Sequence, residues 1–380
     1  MIAIRNANVV LEHSILHNGV ILIENGRIHS IGKADDVEIP EAATIHDANG
    51  LFVGPGFVDI HVHGGAGNFL YAEPDAAGRH FLSHGETTVL AALYYDLSKD
   101  EFLTAIETVK KAMESNPAGN IAGFYMEGPY MNPKYGASPE KNKWRGHIRR
   151  DDYKEIVEAA ADLAKVWAVA PERDGIESFV QDVKRIDPKA VFSVGHSEAT
   201  PDEVRRLKRY GLNLQTHCMN ATGRRNHCAG VRSCGPDEAC FLDDEMYAEV
   251  ICDSLGVHVE PDLLRLIIHV KGVDKVVLIS DSYVSTEPTP DEYRHVTDLQ
   301  FDANGNLCGS KLTLDMACRN LLRHTGCDMV QAFLMASRNP ARVIGLDDEI
   351  GSIEAGKKAN LVLVDELFTV KQVMLEGNFL

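Results

Sequence analysis

The chain has 380 residues, 44% of them hydrophobic and 25% charged, with a formal net charge of −18 and no low-complexity block. That much apolar sequence builds a large core and excludes a disordered chain, and the acidic balance lacks the basic face that a nucleic-acid binder presents to phosphates. No apolar run reaches the ~18 residues of a membrane span, and the N-terminus lacks the basic, apolar, small-residue order of a signal peptide, so a cytoplasmic protein without a nucleic-acid or membrane partner is expected.

Residues 1–52 read as β-structure. Gly19-Val20-Ile21-Leu22-Ile23 and Ile28-His29-Ser30-Ile31 flank Glu24-Asn25-Gly26, and Asn-Gly between apolar runs signals a hairpin. The same texture returns after Gly351, in Asn360-Leu361-Val362-Leu363-Val364 and Lys371-Gln372-Val373-Met374-Leu375. Two isolated β-segments of this size would be marginal, so the reading pairs them: residues 1–53 and 350–380 form one small β-sandwich domain.

Residues 54–349 alternate strand with helix. Apolar, β-rich runs fall at 58–62, 87–92, 121–126, 166–170, 191–194, 212–216, 248–251 and 276–279, with amphipathic helices over 100–115, 151–163, 201–210, 261–270 and 313–324. The third of these helices opens on the cap pair Thr200-Pro201. Eight such units match a (β/α)8 TIM barrel, whose chemistry sits at the C-terminal ends of the strands. The expected fold is therefore α/β, a TIM barrel with a terminal β-sandwich.

The strand ends carry metal-compatible and acid–base groups. In Gly54-Pro55-Gly56-Phe57-Val58-Asp59-Ile60-His61-Val62-His63 the two histidines stand at i and i+2, on one face of a strand, so both imidazoles reach one point. Glu127 closes the third strand, His196 follows the fifth, His217 the sixth and Asp281 the eighth. Each alone has an ordinary structural explanation, as a loop charge, a hydrogen-bonded polar residue or a helix cap. Five strand ends of one barrel sharing such groups point instead to a metal-dependent active site. The eight cysteines contain no CxxC pair, so reduced structural thiols are expected.

These segments resemble the amidohydrolase superfamily, and within it the family of N-acetylglucosamine-6-phosphate deacetylases. The similar stretches are GPGFVDIHVHGG at 54–65, EGPYMNP at 127–133, GHSEAT at 195–200, HCMNATG at 217–223, ISDS at 279–282, LCGSKLTLDMACRNL at 307–321 and NPARVIGLDDEIGSIEAGKKANLVLVD at 339–365. The resemblance implies removal of the acetyl group from an N-acetylated amino sugar phosphate, with one or two divalent metals, zinc or iron. It implies that Glu127, His196 and His217 hold one metal, that His61 and His63 with Glu127 hold a second, and that Asp281 carries the proton. The fourth strand ends without the lysine that relatives use as a metal bridge; Lys165 lies at its beginning.

For substrate contacts the resemblance implies Asn220 and Ala221 at the phosphate, Arg224 and Arg225 where the family supplies an arginine, and a homodimer in which such a contact crosses between subunits. His258 is an expected but displaced contact, within Cys252-Asp253-Ser254-Leu255-Gly256-Val257-His258. Ser138 stands where the family commonly has a histidine that touches the acetyl oxygen; His147, in the same loop, is the expected substitute, unless a metal polarises the carbonyl. Alternatives are hydrolysis of N-acetylgalactosamine 6-phosphate or of an unphosphorylated acyl amine, and a barrel kept as a non-catalytic scaffold.

Overall fold

The computed structural model describes residues 1–115 and 119–380. Eight parallel strands follow one another in sequence order: Phe57–Val62, Glu86–Tyr94, Ile121–Glu127, Ala164–Val169, Val191–Val194, Leu212–Gln215, Tyr247–Ile251 and Val276–Ile279. They are buried almost throughout, which is why they read as near-continuous apolar runs and not as alternation. The first and eighth meet where His63 N donates to Ser282 O (2.9 Å) and Asp281 N to His61 O (3.0 Å), closing the barrel.

The five anticipated helices are present as Lys99–Ser115, Arg150–Ala160, Pro201–Lys208, Pro261–Lys271 and Leu314–Thr325. Thr200 closes a reciprocal capping box with Glu203, satisfying orphan amides at that helix start. The second helix stops three residues short of Leu163 because Asp162 turns left-handed, φ 65°. Ile176–Ile186 forms a helix the sequence reading did not mark. It starts from Gly175 (φ 82°) without a side-chain cap, so the polar start signal is missing.

A second, mixed eight-stranded sheet is built from both chain ends, giving the barrel-plus-β-sandwich architecture. Phe52–Pro55 pairs antiparallel with Leu361–Val364, Val53 opposite Leu363 and Gly54 opposite Val362. The strands Ile15–Glu24 and Arg27–Lys33 are joined through Asn25 (φ 51°) and Gly26 (φ 76°), the two left-handed positions of a tight hairpin turn. A Cβ on Gly26 would lie 2.9 Å from the carbonyl of Glu376, so the hairpin tip needs glycine to reach the C-terminal strands. Phe333 joins sheet and barrel, its ring 5.5 Å from Phe57 and 5.2 Å from Phe368. Among the described residues no helix is long and apolar enough to cross a membrane.

Candidate metal centre and active site

The first barrel strand puts Asp59, His61 and His63 on the axis-facing side by its two-residue period. Glu127 is the last residue of the third strand. His196, His217 and Asp281 each lie just beyond a strand end in left-handed backbone, φ 44°, 26° and 46°. That conformation is unfavourable for a residue with a Cβ, by on the order of 1–3 kcal/mol, and clusters at functional sites. Here it gathers three side chains from three strands beside Glu127.

Glu127 is the centre of the cluster. One carboxylate oxygen lies 2.7 Å from His196 Nε2 and 3.3 Å from His217 Nε2; the other lies 3.1 Å from His63 Nε2 and 3.5 Å from His61 Nε2. Asp281 Oδ1 is 3.4 Å from His63 Nε2 and 3.7 Å from His61 Nε2. The side chains of Glu127 and all four histidines are at most 6% exposed. Two sets, His61/His63/Glu127 and Glu127/His196/His217, each hold their ligand-type atoms within 4.8 Å of one another.

This donor set fits a divalent cation. The Nε2 atoms of His196 and His217 face each other at 3.1 Å, and two neutral imidazole nitrogens so placed need a cation or a proton between them. His61 Nε2 is buried without a hydrogen-bond partner among the described residues, although its Nδ1 is engaged. Buried imidazole and carboxylate are ligands of zinc and related first-row ions.

Beneath the cluster lies a carboxylate that the sequence reading missed. Glu249, on the seventh strand and fully buried, accepts from His61 Nδ1 (3.2 Å), from the Tyr125 hydroxyl (3.3 Å) and from the backbone N–H of His217 (3.2 Å). Tyr125 OH also meets Thr216 Oγ1 at 2.8 Å, and Thr216 meets Ser193 at 2.6 Å. Since a carboxylate only accepts, the relay runs Ser193 to Thr216 to Tyr125 to Glu249. It fixes the plane of His61, whose ring stacks on Tyr125 at 4.1 Å. The sequence signal was a charge inside the apolar run Tyr247-Ala248-Glu249-Val250-Ile251.

Burial is the largest influence on every charge here. For His61 it disfavours the proton, yet Glu127, Glu249 and Asp281 outweigh it and hold the imidazole well above its usual range. His63 is pushed up to about 9 against the same burial, by Asp281 and Glu127. Within the facing pair the rings diverge: burial holds His196 low despite Glu127, whereas Glu127 and Asp281 overcome it at His217 and hold that ring high. Asp281 is lowered because its bond to His63 and the charge of His61 overcome burial, which keeps it ionised and able to accept a proton.

The cluster floors a cleft of about 330 Å³ whose rim includes Ser138, Asn220, Ala221 and His258. Ser138 (φ 51°) and Ala221 (φ 48°) are left-handed. The Asn220 amide donates to the His258 carbonyl at 3.1 Å. Both His258 ring nitrogens face acceptors, Asp253 Oδ2 and the Gly309 carbonyl, each at 3.0 Å.

Three expected contacts are not brought to the cleft. His147 lines a separate cavity with Lys99, Tyr130 and Trp144, because the loop after the third strand carries it outward past Trp144. Arg224 turns to Glu238 at 3.6 Å, and Arg225 pairs with Glu203 and donates to the Glu198 carbonyl. Lys134 and Tyr135 line the cleft instead, both bonded to Glu198, at 2.6 and 3.0 Å. All eight cysteines are free thiols, Cys228 and Cys234 exposed and Cys240 buried.

Comparison with known proteins agrees with this geometry. The amidohydrolase family profile matches residues 52–380. An N-acetylgalactosamine-6-phosphate deacetylase of Escherichia coli O157:H7 is 30% identical, the match covering 94% of this chain and 96% of that protein. An N-acetylglucosamine-6-phosphate deacetylase of Bacillus subtilis (strain 168) is 28% identical, over 99% and 96%. Among solved structures, the N-acetyl-D-glucosamine-6-phosphate deacetylase of Mycobacterium smegmatis superimposes with a TM-score of 0.84 at 27% identity, covering both chains completely.

Proposed function

We propose, from the premise that the chain belongs to the amidohydrolase family, that it is a metal-dependent hydrolase removing the acetyl group from an N-acetylated amino sugar phosphate. N-acetylglucosamine 6-phosphate is the substrate of first choice. The observation that carries this reading is a single buried carboxylate, Glu127, shared by two histidine pairs with Asp281 alongside. The relative that acts on the galactosamine sugar supports a second reading, since its 30% identity stands level with the 28% of a glucosamine counterpart.

In this reading Glu127, His196 and His217 hold one cation, zinc or iron, and His61 and His63 with Glu127 hold another. Bound there, the cation supplies Lewis acidity to the acyl oxygen and acidifies the attacking water. Asp281 takes the proton from that water as the C–O bond forms and returns it to the sugar nitrogen as the C–N bond breaks, so acetate and the amine leave. Glu249 holds His61 in place, and the backbone and side chain around Asn220 and Ala221, with His258 behind them, face the anionic end. The reading also includes a homodimer in which Arg224 and Arg225 would exchange Glu238 and Glu203 of their own chain for the anionic end of a neighbouring substrate. Residues 54–349 act as the catalytic unit and 1–53 with 350–380 as its companion, in a cytoplasmic protein.

The test is metal analysis of the purified protein together with turnover of N-acetylglucosamine 6-phosphate, N-acetylgalactosamine 6-phosphate and unphosphorylated N-acetylglucosamine. About two metals per chain, falling to about one in His61→Asn or His63→Asn, and preference for a phosphorylated sugar are expected. Metal-loaded protein inert towards all three sugars would overturn the assignment.

A further inference from the structure

We propose that the active-site cleft opens into an acyl annex, so that the enzyme hydrolyses N-acyl amino sugar phosphates whose acyl group is longer than acetyl and ends in a hydrogen-bond donor, a hydroxyl or an ammonium. This rests on the deacetylase reading above and extends it to the other side of the amide. A second cavity, also about 330 Å³, shares Tyr94, Ala137, Ser138, Tyr283, Asp302 and Cys308 with the cleft. The rim they share is aromatic: Tyr94 and Tyr283 meet the His63 ring edge-on at 5.7 and 5.3 Å, and Phe69 meets Tyr283 at 5.2 Å. The annex therefore begins where the cluster ends.

Barrel topology sets the direction in which a substrate enters it. Tyr94 ends the second strand and Asn220 follows the sixth; in a closed barrel of eight strands in sequence order these positions are diametrically opposed. An amide lying over Glu127 and Asp281, with its sugar towards Asn220, points its acyl substituent at Tyr94 and Ser138. An acetyl methyl leaves the annex unfilled. At about 30 Å³ per water-sized group, the annex has room for on the order of ten heavy atoms.

The chemistry of the wall selects the tail. Beyond the residues shared with the cleft, the annex carries two carboxylates, Asp96 and Glu287, against the single ammonium of Lys141. Asp96 is half-buried, and burial raises its carboxyl against the opposing charges of His63, Lys143 and Lys141. A donor-tipped chain meets acceptors there, whereas a purely apolar chain of equal length leaves them without partners. The reaction is unchanged: water supplies the C–O bond, the acyl group leaves as its carboxylate, and the proton goes to the sugar nitrogen.

The test uses metal-loaded full-length protein and glucosamine 6-phosphate carrying acetyl, butyryl, 4-hydroxybutyryl or 4-aminobutyryl groups. The donor-tipped substrates are expected to match or exceed the acetyl sugar in kcat/KM and to exceed butyryl by about tenfold. Val284→Trp, which fills the annex alone, is expected to lower kcat/KM for the long substrates about tenfold while the acetyl sugar stays within about twofold. Asp96→Asn is expected to reduce the preference for donor tips. Cleavage of the acetyl sugar with long acyl groups below about a tenth of its kcat/KM, or equal loss on all substrates in Val284→Trp, overturns the annex and leaves the deacetylase. Inertness towards every acyl sugar, acetyl included, overturns both.

Discussion

The candidate metal-ligand cluster and the loop through residues 223–235 share one barrel mouth and are held by opposite means. In the cluster each side chain is buried, and His61, His217 and Asp281 are tied down by backbone or second hydrogen bonds on the side away from Glu127. In the loop, Arg224 and Arg232 both reach Glu238, and Arg225 reaches Glu203, from arginine side chains 29–68% exposed onto carboxylates 20–22% exposed. Solvent-screened ion pairs of that kind contribute little, roughly 0–1 kcal/mol each. The difference teaches that the cluster is a preorganised donor set, whereas the arginine loop is free to trade one anionic partner for another.

The largest expected effect breaks the cluster side. Asp281→Asn keeps size and one acceptor oxygen but removes the titrating group, so turnover should fall by on the order of 10²–10⁴. Metal content and thermal unfolding, measured in parallel, should be unchanged. Retention of more than about a tenth of the activity would move the proton to another carrier.

Glu249→Gln probes how far the preorganisation extends. It keeps the shape of the site but offers His61, Tyr125 and the His217 amide a weaker, half-donor partner. Metal affinity, read by chelator competition, should drop by roughly 10–100-fold. An unchanged affinity would show that the relay below the cluster is ordinary packing.

On the loop side, Arg224→Ala with Arg225→Ala should raise the apparent KM for the phosphorylated sugar about tenfold and leave kcat nearly unchanged, because a charge-assisted contact distant from the amide acts on binding. Sedimentation should show a dimer for the parent protein. A monomer, or a KM that does not move, would confine both arginines to their partners in the same chain.

An effect on stability, not on turnover, separates the two sides by acid. Asp253 anchors His258 and accepts from the N–H groups of Leu255, Val257 and His258. Burial opposes its charge, but the bond to His258 and these amides push it down to about 2 from 3.8. A carboxyl lowered on folding stabilises above its unfolded value and loses that contribution as pH falls through its folded one, here from about 4 to about 2. Asp253→Asn should cost about 2 kcal/mol near neutral pH, with the deficit in urea unfolding vanishing at pH 2.

The same contrast explains what the sequence made legible. All eight barrel strands and the strand-end groups Glu127, His196, His217 and Asp281 could be read because a parallel barrel imposes uniform apolar runs and puts its chemistry at one end of each. Glu249 stood out only as a charge in an apolar run; its role could not be read, since it lies in His61, 188 residues away. His147 was read as a neighbour of Ser138 because nine positions in a loop set an upper limit on separation and no direction. The helix at Ile176–Ile186 escaped because it opens on glycine, without the polar cap that announces a start.

The antiparallel ladder between Phe52–Pro55 and Leu361–Val364 bears on how the protein is made. The N-terminal strands leave the ribosome first, and the partners that complete their sheet come roughly 300 residues later, at about 5–20 residues per second, so the wait is on the order of 15–60 s. Throughout that interval the edge at Phe52–Pro55 is an unpaired template open to other chains. A nascent chain halted before residue 361 therefore has a finished barrel within reach and a sheet that cannot close. Only the strand Leu361–Val364 covers that edge.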